Sequence, residues 1–150
     1  MTDYRHEIET IAMQRGLDPD LVEALVIIES GGHADAFRYE PAFWKRYLQG
    51  KPEWADCVPR RVSSSYGLCQ VMYPVAKELG FSGVPELLFV PTTNLTWGCL
   101  KLSQLLQWAN GDEERALCAY NGGKLQNVKR PFRNQAYAAK VLAQKQRMIT

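Results

Sequence analysis

Repeated helix start and stop signals divide this sequence of 150 residues into helical segments. The clearest is LDPDLVEALVIIESGG, residues 17–32, in which Asp18 can cap a helix and Pro19 suits its first position. Two consecutive glycines then end the segment, because glycine readily adopts the backbone conformation that terminates a helix. These signals predict a helix over residues 19–30.

Similar signals recur along the rest of the chain, while no segment alternates apolar and polar residues as a half-buried strand would. We therefore predict a mainly α, single-domain protein over residues 1–150, with little or no sheet. Three further helices are predicted in the first half: residues 3–15 with Asp3 as cap, a short helix begun by Pro41, and a helix from Pro74 that Gly80 closes. Three more are predicted after it. Asn94 caps the first, which runs through LTWGCLKLSQLLQWANG; the second runs from Asp112 to YNGG, and the third begins at Asn134.

A segment of about residues 38–63, which includes KPEWADCVPRRVSSS, has the composition of a long loop. Loops of this length in compact domains usually have a functional role. Aromatic side chains concentrate in and just before it. We expect the insertion to form either one wall of a groove or a plain hydrophobic lid, with these aromatic residues: Phe37, Tyr39, Phe43, Trp44, Tyr47 and Trp54.

Several classes of protein receive no support from the sequence. No apolar stretch is long enough to cross a bilayer, and the start, MTDYRHEIET, is too polar for a secretory signal, which predicts synthesis in the cytoplasm without a leader. The four cysteines form no CxxC pair and the two histidines lie at no ligand spacing, so no metal and no cofactor is expected. Cys69 and Cys118 lie in apolar segments and are predicted to be buried free thiols.

Glu29 is placed unusually for a carboxylate. It follows Leu25 by four residues and Val22 by seven, so it shares the apolar face of the predicted helix. Loss of water and the negative end of the helix dipole both disfavour its charged form and raise its pKa. A carboxylic acid that stays protonated near neutral pH is what a general acid requires in glycoside cleavage, whereas a side chain that bends out to solvent would titrate normally.

Five segments in order resemble the motifs of the soluble-type (SLT, family 1) lytic transglycosylases, and they extend from about Leu21 to Leu142. They read ESGGHADAFRYEP, SSSYGLCQVMYPVAKELGF, FVPTTNLTWGCLKLSQLL, GDEERALCAYNGG and YAAKVL. Two departures are Cys69, where the family usually has Met in a GLMQ motif, and the insertion, which replaces a shorter loop. RYEPAFWKRY is similar to phage-encoded members.

The resemblance implies a lysozyme-like fold with a groove and cleavage of the MurNAc-β-1,4-GlcNAc bond of peptidoglycan, with Glu29 as the single catalytic acid and base. The product would carry a 1,6-anhydro sugar, and the substrate's acetamido group would replace a second carboxylate. The residues expected to bind substrate or orient the acid are Ser30, Ser65, Gln70, Tyr120, Asn121 and Tyr137.

Two other functions remain open at this stage. A hydrolysing muramidase would need a second carboxylate, for which Glu40 and Asp35 are the nearby candidates. A non-catalytic module that binds the wall or forms part of a virion would keep the fold without the chemistry. Nucleic acid is not an expected partner, because the basic residues belong to no recognisable reading helix.

The end of the chain is strongly basic, since residues 124–150 contain seven Lys or Arg and no Asp or Glu. We expect either a solvated helix face or contact with anionic envelope polymers through Lys140, Lys145 and Arg147. The predicted site of action is the cell wall, reached by release, by a secretion apparatus or as part of a virion.

Overall fold

The computed structural model describes residues 2–149, and it confirms a mainly helical fold. The α-helices are α1 (Arg5–Gln14), α2 (Pro19–Ser30), α3 (Pro41–Phe43), α4 (Pro59–Val62), α5 (Tyr73–Leu79), α6 (Pro91–Trp108), α7 (Glu113–Gly122) and α8 (Gln135–Ile149). A π-helical turn covers Trp44–Leu48, and 3₁₀ turns cover Pro52–Trp54, Pro85–Phe89 and Leu125–Asn127.

The small sheet has three antiparallel strands, β1 (Phe37–Tyr39), β2 (Ser64–Tyr66) and β3 (Val71–Met72), in that spatial order. Phe37 pairs with Tyr66 in the first ladder, and Tyr66 pairs with Val71 in the second. The prediction of little sheet is therefore confirmed.

Three helix boundaries follow directly from local capping chemistry. The Asp18 carboxylate accepts the backbone N–H of Asp20 at 2.9 Å, and the Asp112 carboxylate accepts that of Arg115 at 3.1 Å. Gly31 ends α2 with a φ of +64°, which a residue with a side chain rarely adopts. These caps were predicted and are confirmed.

Two predicted caps were wrong. The helix that Asn94 was expected to begin starts three residues earlier, because Pro91 suits a first helical position, and the Asn94 side chain is completely buried. The residue at the cap of α1 is Tyr4 rather than Asp3, and it makes no side-chain cap hydrogen bond.

The Asn94 amide instead joins three separate backbone segments. Its Oδ1 accepts the N–H of Cys69 at 2.7 Å, while its Nδ2 donates to the carbonyl oxygens of Tyr66 at 2.6 Å and Leu88 at 2.7 Å. A buried polar group must find partners, and here it satisfies backbone groups that no regular ladder reaches. This single side chain therefore fixes the β2–β3 turn against the start of α6.

Helix α2 lies at the centre of the core, between α1 and α8, and α7 and α6 complete the helical layer. Its buried positions include Glu23, which is only 1% exposed. Arg5 forms an ion pair with the Glu23 carboxylate at 2.9 Å, and the N–H of Thr2 donates to it at 2.6 Å. Burial disfavours the charged form of Glu23, but these hydrogen bonds outweigh it and lower the pKa.

The insertion is a folded segment with its own small core, formed by Leu48, Trp54 and Val62. Its two ends are tied together, since the N–H of Glu40 donates to the Ser63 carbonyl at 2.8 Å and the Ser63 hydroxyl donates to the Glu40 carbonyl at 2.9 Å. Trp54 is only 6% exposed and packs within this core, so little of its ring is available to line a groove as expected.

All four thiols are free, and the predicted burial of Cys69 and Cys118 is confirmed. Burial raises the pKa of the Cys99 thiol to about 12 and that of Cys69 well above its usual range. None of the helices within residues 2–149 combines the length and the apolar character required to cross a bilayer.

Candidate active site

The Glu29 carboxyl lies at the last turn of α2, two residues before the glycine pair that ends the helix. It is half-buried, and burial raises its pKa above the ordinary range of a glutamate. The hydroxyl of Tyr137, on α8, donates a hydrogen bond of 2.6 Å to Oε2 of Glu29 and opposes this shift. The sequence thus brings together two predicted site residues that are 108 positions apart.

Three charged side chains also act on Glu29. The positive charges of Lys101 and Arg38 favour the carboxylate, while the negative charge of Glu40 disfavours it. The effect of burial on Glu29 is larger than that of the two positive charges, so the pKa of Glu29 remains raised. A raised pKa keeps a larger protonated fraction of Glu29 at neutral pH than a surface glutamate has.

Lys101 is the site residue that our sequence reasoning missed. It is on α6, where its Nζ donates to the carbonyl oxygen of Tyr120 at 3.0 Å and lies 3.9 Å from the centroid of the Tyr120 ring. Burial lowers its pKa to about 8, an effect that Glu29 and Cys69 partly offset. A lone basic residue within the apolar segment WGCLKLSQLL was the signal that could have identified it.

Tyr120 lies deeper than expected. It is 5% exposed, and its hydroxyl donates to the carbonyl oxygen of Cys69 at 2.7 Å rather than to Glu29. Tyr137 holds the acid, while Tyr120 links α7 to the β2–β3 turn and supports the Lys101 ammonium group. Sequence reasoning placed both tyrosines near the acid, but could not decide which one contacts it.

The β2–β3 turn, residues 67–70, packs against the end of α2. The Ser30 hydroxyl bridges to it, donating to the Leu68 carbonyl at 2.8 Å, so Ser30 is engaged by backbone groups. Gln70 has a φ of +52° and its Nε2 donates to the Gly67 carbonyl at 3.1 Å. A Cβ on Gly67 would lie 2.6 Å from Nδ2 of Asn94, which explains the glycine at this close approach.

Ser65 and Asn121 occupy contrasting environments. Ser65 is in β2 and is 8% exposed, and its hydroxyl has no hydrogen-bond partner within residues 2–149. Asn121 is exposed near the end of α7, and its Oδ1 accepts a hydrogen bond of 2.9 Å from Nδ2 of Asn134. The Ser65 hydroxyl is consequently free to contact a ligand, while the Asn121 oxygen holds the start of α8.

The two candidates for a second carboxylate differ in placement. Glu40, at the end of β1, is 3.5 Å from the Arg38 guanidinium and acts electrostatically on Glu29. Asp35 is an exposed turn residue that makes no ion pair or hydrogen bond within the described part of the chain. The structure therefore brings Glu40 into the surroundings of the acid. No cluster of three potential metal ligands occurs among residues 2–149.

The chain forms a helical layer with a three-stranded sheet beside it, and an acid lies at the end of α2. This arrangement is a lysozyme-like fold. The model of the transglycosylase SLT domain family matches residues 7–147, so the chain belongs to this family.

A solved structure supports the same fold. An inactive Glu-to-Gln mutant of the lytic transglycosylase Slt from Pseudomonas aeruginosa superposes with a TM-score of 0.74 at 22% sequence identity. The match covers 98% of this chain and 24% of that one, so the chain spans about a quarter of the length of that relative.

Proposed function

We propose that this domain is a lytic transglycosylase that cleaves the MurNAc-β-1,4-GlcNAc bond of peptidoglycan. The observation that carries the proposal is the environment of the Glu29 carboxyl. Burial raises its pKa, and its Oε2 accepts a hydrogen bond from Tyr137. Membership of the SLT family supports the choice of substrate. A protonated carboxyl can donate its proton to a glycosidic oxygen, which is the chemistry this substrate needs.

In the proposed reaction Glu29 acts twice. It first donates its proton to the bridging oxygen, so the C1–O bond breaks and the GlcNAc side leaves with a new hydroxyl group. The acetamido oxygen of the MurNAc residue stabilises the positive charge that develops at C1. The Glu29 carboxylate then accepts the proton of the C6 hydroxyl, whose oxygen bonds to C1 and closes the 1,6-anhydro ring. No water is consumed, and Glu29 returns to its protonated form.

The neighbouring side chains have complementary roles in this scheme. The positive charge of Lys101 and the hydroxyl of Tyr137 favour the carboxylate that the first step creates, while burial favours the acid that begins it. The opposing effects prevent either form from becoming too stable, which suits a group that must donate and then recover a proton. Ser65 and Gln70 are proposed to contact the sugars.

The mass of the released fragments tests this proposal directly. Digestion of purified cell walls should release muropeptides that are one water lighter than those made by hydrolysis, because the C6 hydroxyl replaces water as the attacking group. Mass spectrometry after reduction with borohydride provides a second readout, since anhydro ends resist reduction. Fragments with reducible ends would show that the enzyme hydrolyses the bond.

That outcome would support the alternative function, a hydrolysing muramidase. The observation in its favour is Glu40, the one candidate second carboxylate that acts electrostatically on Glu29. In an inverting reaction such a group would activate water on the opposite face of the sugar. Its Oε1 lies 3.5 Å from Nε of Arg38.

The pH profile should depend on Tyr137. The free enzyme needs protonated Glu29, so kcat/KM falls as pH rises through the Glu29 pKa. The Tyr137 hydrogen bond favours the charged form, so Tyr137→Phe raises this pKa further and moves the falling limb to higher pH. We also expect about a ten- to hundredfold loss of kcat, since a hydrogen bond to a charged group contributes about 1.5–3 kcal/mol.

Two further variants give this measurement its controls. Lys101→Met removes a positive charge that favours the Glu29 carboxylate. The falling limb of its kcat/KM profile should therefore also move to higher pH. Lys140→Met removes an exposed positive charge from α8, the helix that carries Tyr137, and should leave the profile unchanged. A Tyr137→Phe limb that stays in place or moves to lower pH would contradict the assigned role.

The expectation that anionic polymers bind the basic end of the chain stays a prediction, with one adjustment. The Lys145 ammonium group lies 3.1 Å from the Glu113 carboxylate and 3.4 Å from that of Asp18, so it fastens α8 to two other helices. Lys140 is exposed on the same helix. Any polymer contact would therefore depend more on Lys140 than on Lys145.

A further inference from the structure

A concave site lies between the insertion and α5, and Glu29 is not among the residues that line it. Its volume is about 570 Å³, within the range of roughly 300–1,000 Å³ that small-molecule sites occupy. Its aromatic lining is contributed by the insertion: the rings of Phe43 and Tyr47 lie 4.7 Å apart, and Trp54 is buried at the base. We call this site the insertion pocket.

Charges of both signs surround the insertion pocket. Lys51 and Glu53 come from the insertion, and Lys77 and Glu78 come from α5. All four are exposed, and none forms an ion pair within 4.0 Å in the part of the chain that the structure describes. Lys77 instead lies 5.3 Å from the centroid of the Trp54 ring.

Outside the pocket, exposed Arg61 does pair, with Glu86 at 2.6 Å. A pocket with aromatic walls and two charges of each sign, all unpaired, complements a ligand that carries both carboxylate and ammonium groups. A neutral sugar would use the rings but not the charges. An anionic polymer would be repelled by Glu53 and Glu78.

The insertion pocket is also close to the proposed active site along the chain. Pro74 lines the pocket and follows Gln70 by four residues, so their Cα atoms are at most about 14 Å apart. Gln70 belongs to the turn that the Ser30 hydroxyl holds against the end of α2, next to Glu29. An extended peptide of four residues covers a similar span, about 14 Å.

We propose that the insertion pocket binds the stem peptide of peptidoglycan, the short peptide attached to the lactyl group of a muramic acid residue. Its carboxylates would face Lys51 and Lys77, and the free amine of its diamino acid would face Glu53 or Glu78. The inference rests on the proposed function, since it assigns a further part of the same substrate.

The test compares two forms of one substrate: purified glycan strands with their stem peptides, and the same strands after an amidase has removed them. Lys77→Gln and Glu78→Gln should each raise KM on peptide-bearing strands about three- to fivefold, as expected for an exposed charge pair of up to about 1 kcal/mol. Neither should change KM on stripped strands. Lys45→Gln, an exposed charge of the insertion outside the pocket, is the matched control and should change neither.

Direct titration makes the result independent of catalysis. A synthetic tetrapeptide of L-Ala, D-Glu, diaminopimelate and D-Ala should shift the amide NMR signals of residues 51–54 and 77–78 in the wild-type protein, and less so in Lys77→Gln. In the kinetic comparison, an equal rise in KM on both substrates would overturn the proposal and make the pocket a sugar site. An unchanged KM on both substrates would remove the pocket from substrate binding. A wild-type protein that binds the tetrapeptide but releases no fragments would contradict the proposed function alone.

Discussion

Glu29→Gln should abolish release of fragments from purified cell walls, with kcat reduced by about 10³-fold or more. General acid and base catalysis contributes typically 10²–10⁴-fold, and the proposed reaction uses Glu29 in both roles. The glutamine side chain has nearly the same shape and can still accept the hydrogen bond from Tyr137, but it has no proton to donate. The loss of turbidity of a wall suspension, followed by quantification of the released fragments, measures the effect.

The companion variant Glu40→Gln separates the two catalytic schemes. If the substrate's own acetamido group assists, this variant keeps most of its activity and still makes anhydro products. If Glu40 activates water, it loses activity by a factor similar to that of Glu29→Gln. A Glu29→Gln protein that is folded by circular dichroism and lyses walls at the wild-type rate would remove Glu29 from its role.

Asn94→Ala should cause the largest loss of stability among single polar substitutions, about 4 kcal/mol in the free energy of unfolding. The variant leaves the buried N–H of Cys69 and the carbonyl groups of Tyr66 and Leu88 without their partner. Each unsatisfied buried group costs about 1–3 kcal/mol, and partial relaxation reduces the sum. Urea denaturation followed by circular dichroism provides the measurement.

Thr96→Ala is the matched control, because the Thr96 hydroxyl donates only to the Thr92 carbonyl, within the same helix. Its effect should stay within about 0.5 kcal/mol, as for most surface substitutions. Similar losses for the two variants would show that Asn94 does not hold the turn. Because this turn also carries Gln70, Asn94→Ala should lower activity at temperatures where the protein is still folded.

The parts of the fold that depend on neighbouring residues were predictable from the sequence. The cap at Asp18 and the stop at Gly31 require only a few consecutive positions, so they gave the limits of α2 correctly. Asn94 shows where such reasoning fails. Its sequence context suits a helix cap equally well, and only the distant carbonyl groups of the folded chain decide that its side chain turns inward.

Glu23 and Glu29 show the same limit for the site. Both are on α2, six residues apart, and the sequence alone placed Glu29 on the apolar face. Glu23 is in fact the more buried of the two, but Arg5 and Thr2 supply the hydrogen bonds that lower its pKa, whereas burial raises that of Glu29. The partners come from α1 and the residues before it, so no pattern within α2 could reveal them.

The paired hydrogen bonds between Glu40 and Ser63 have an evolutionary consequence. They close the base of the insertion, so the backbone on either side keeps its course whatever length of chain lies between. Replacement of the segment by a tight hairpin is therefore expected to leave Glu29 and its neighbours in place. Related domains can thus differ in this loop without a change in the rest of the fold.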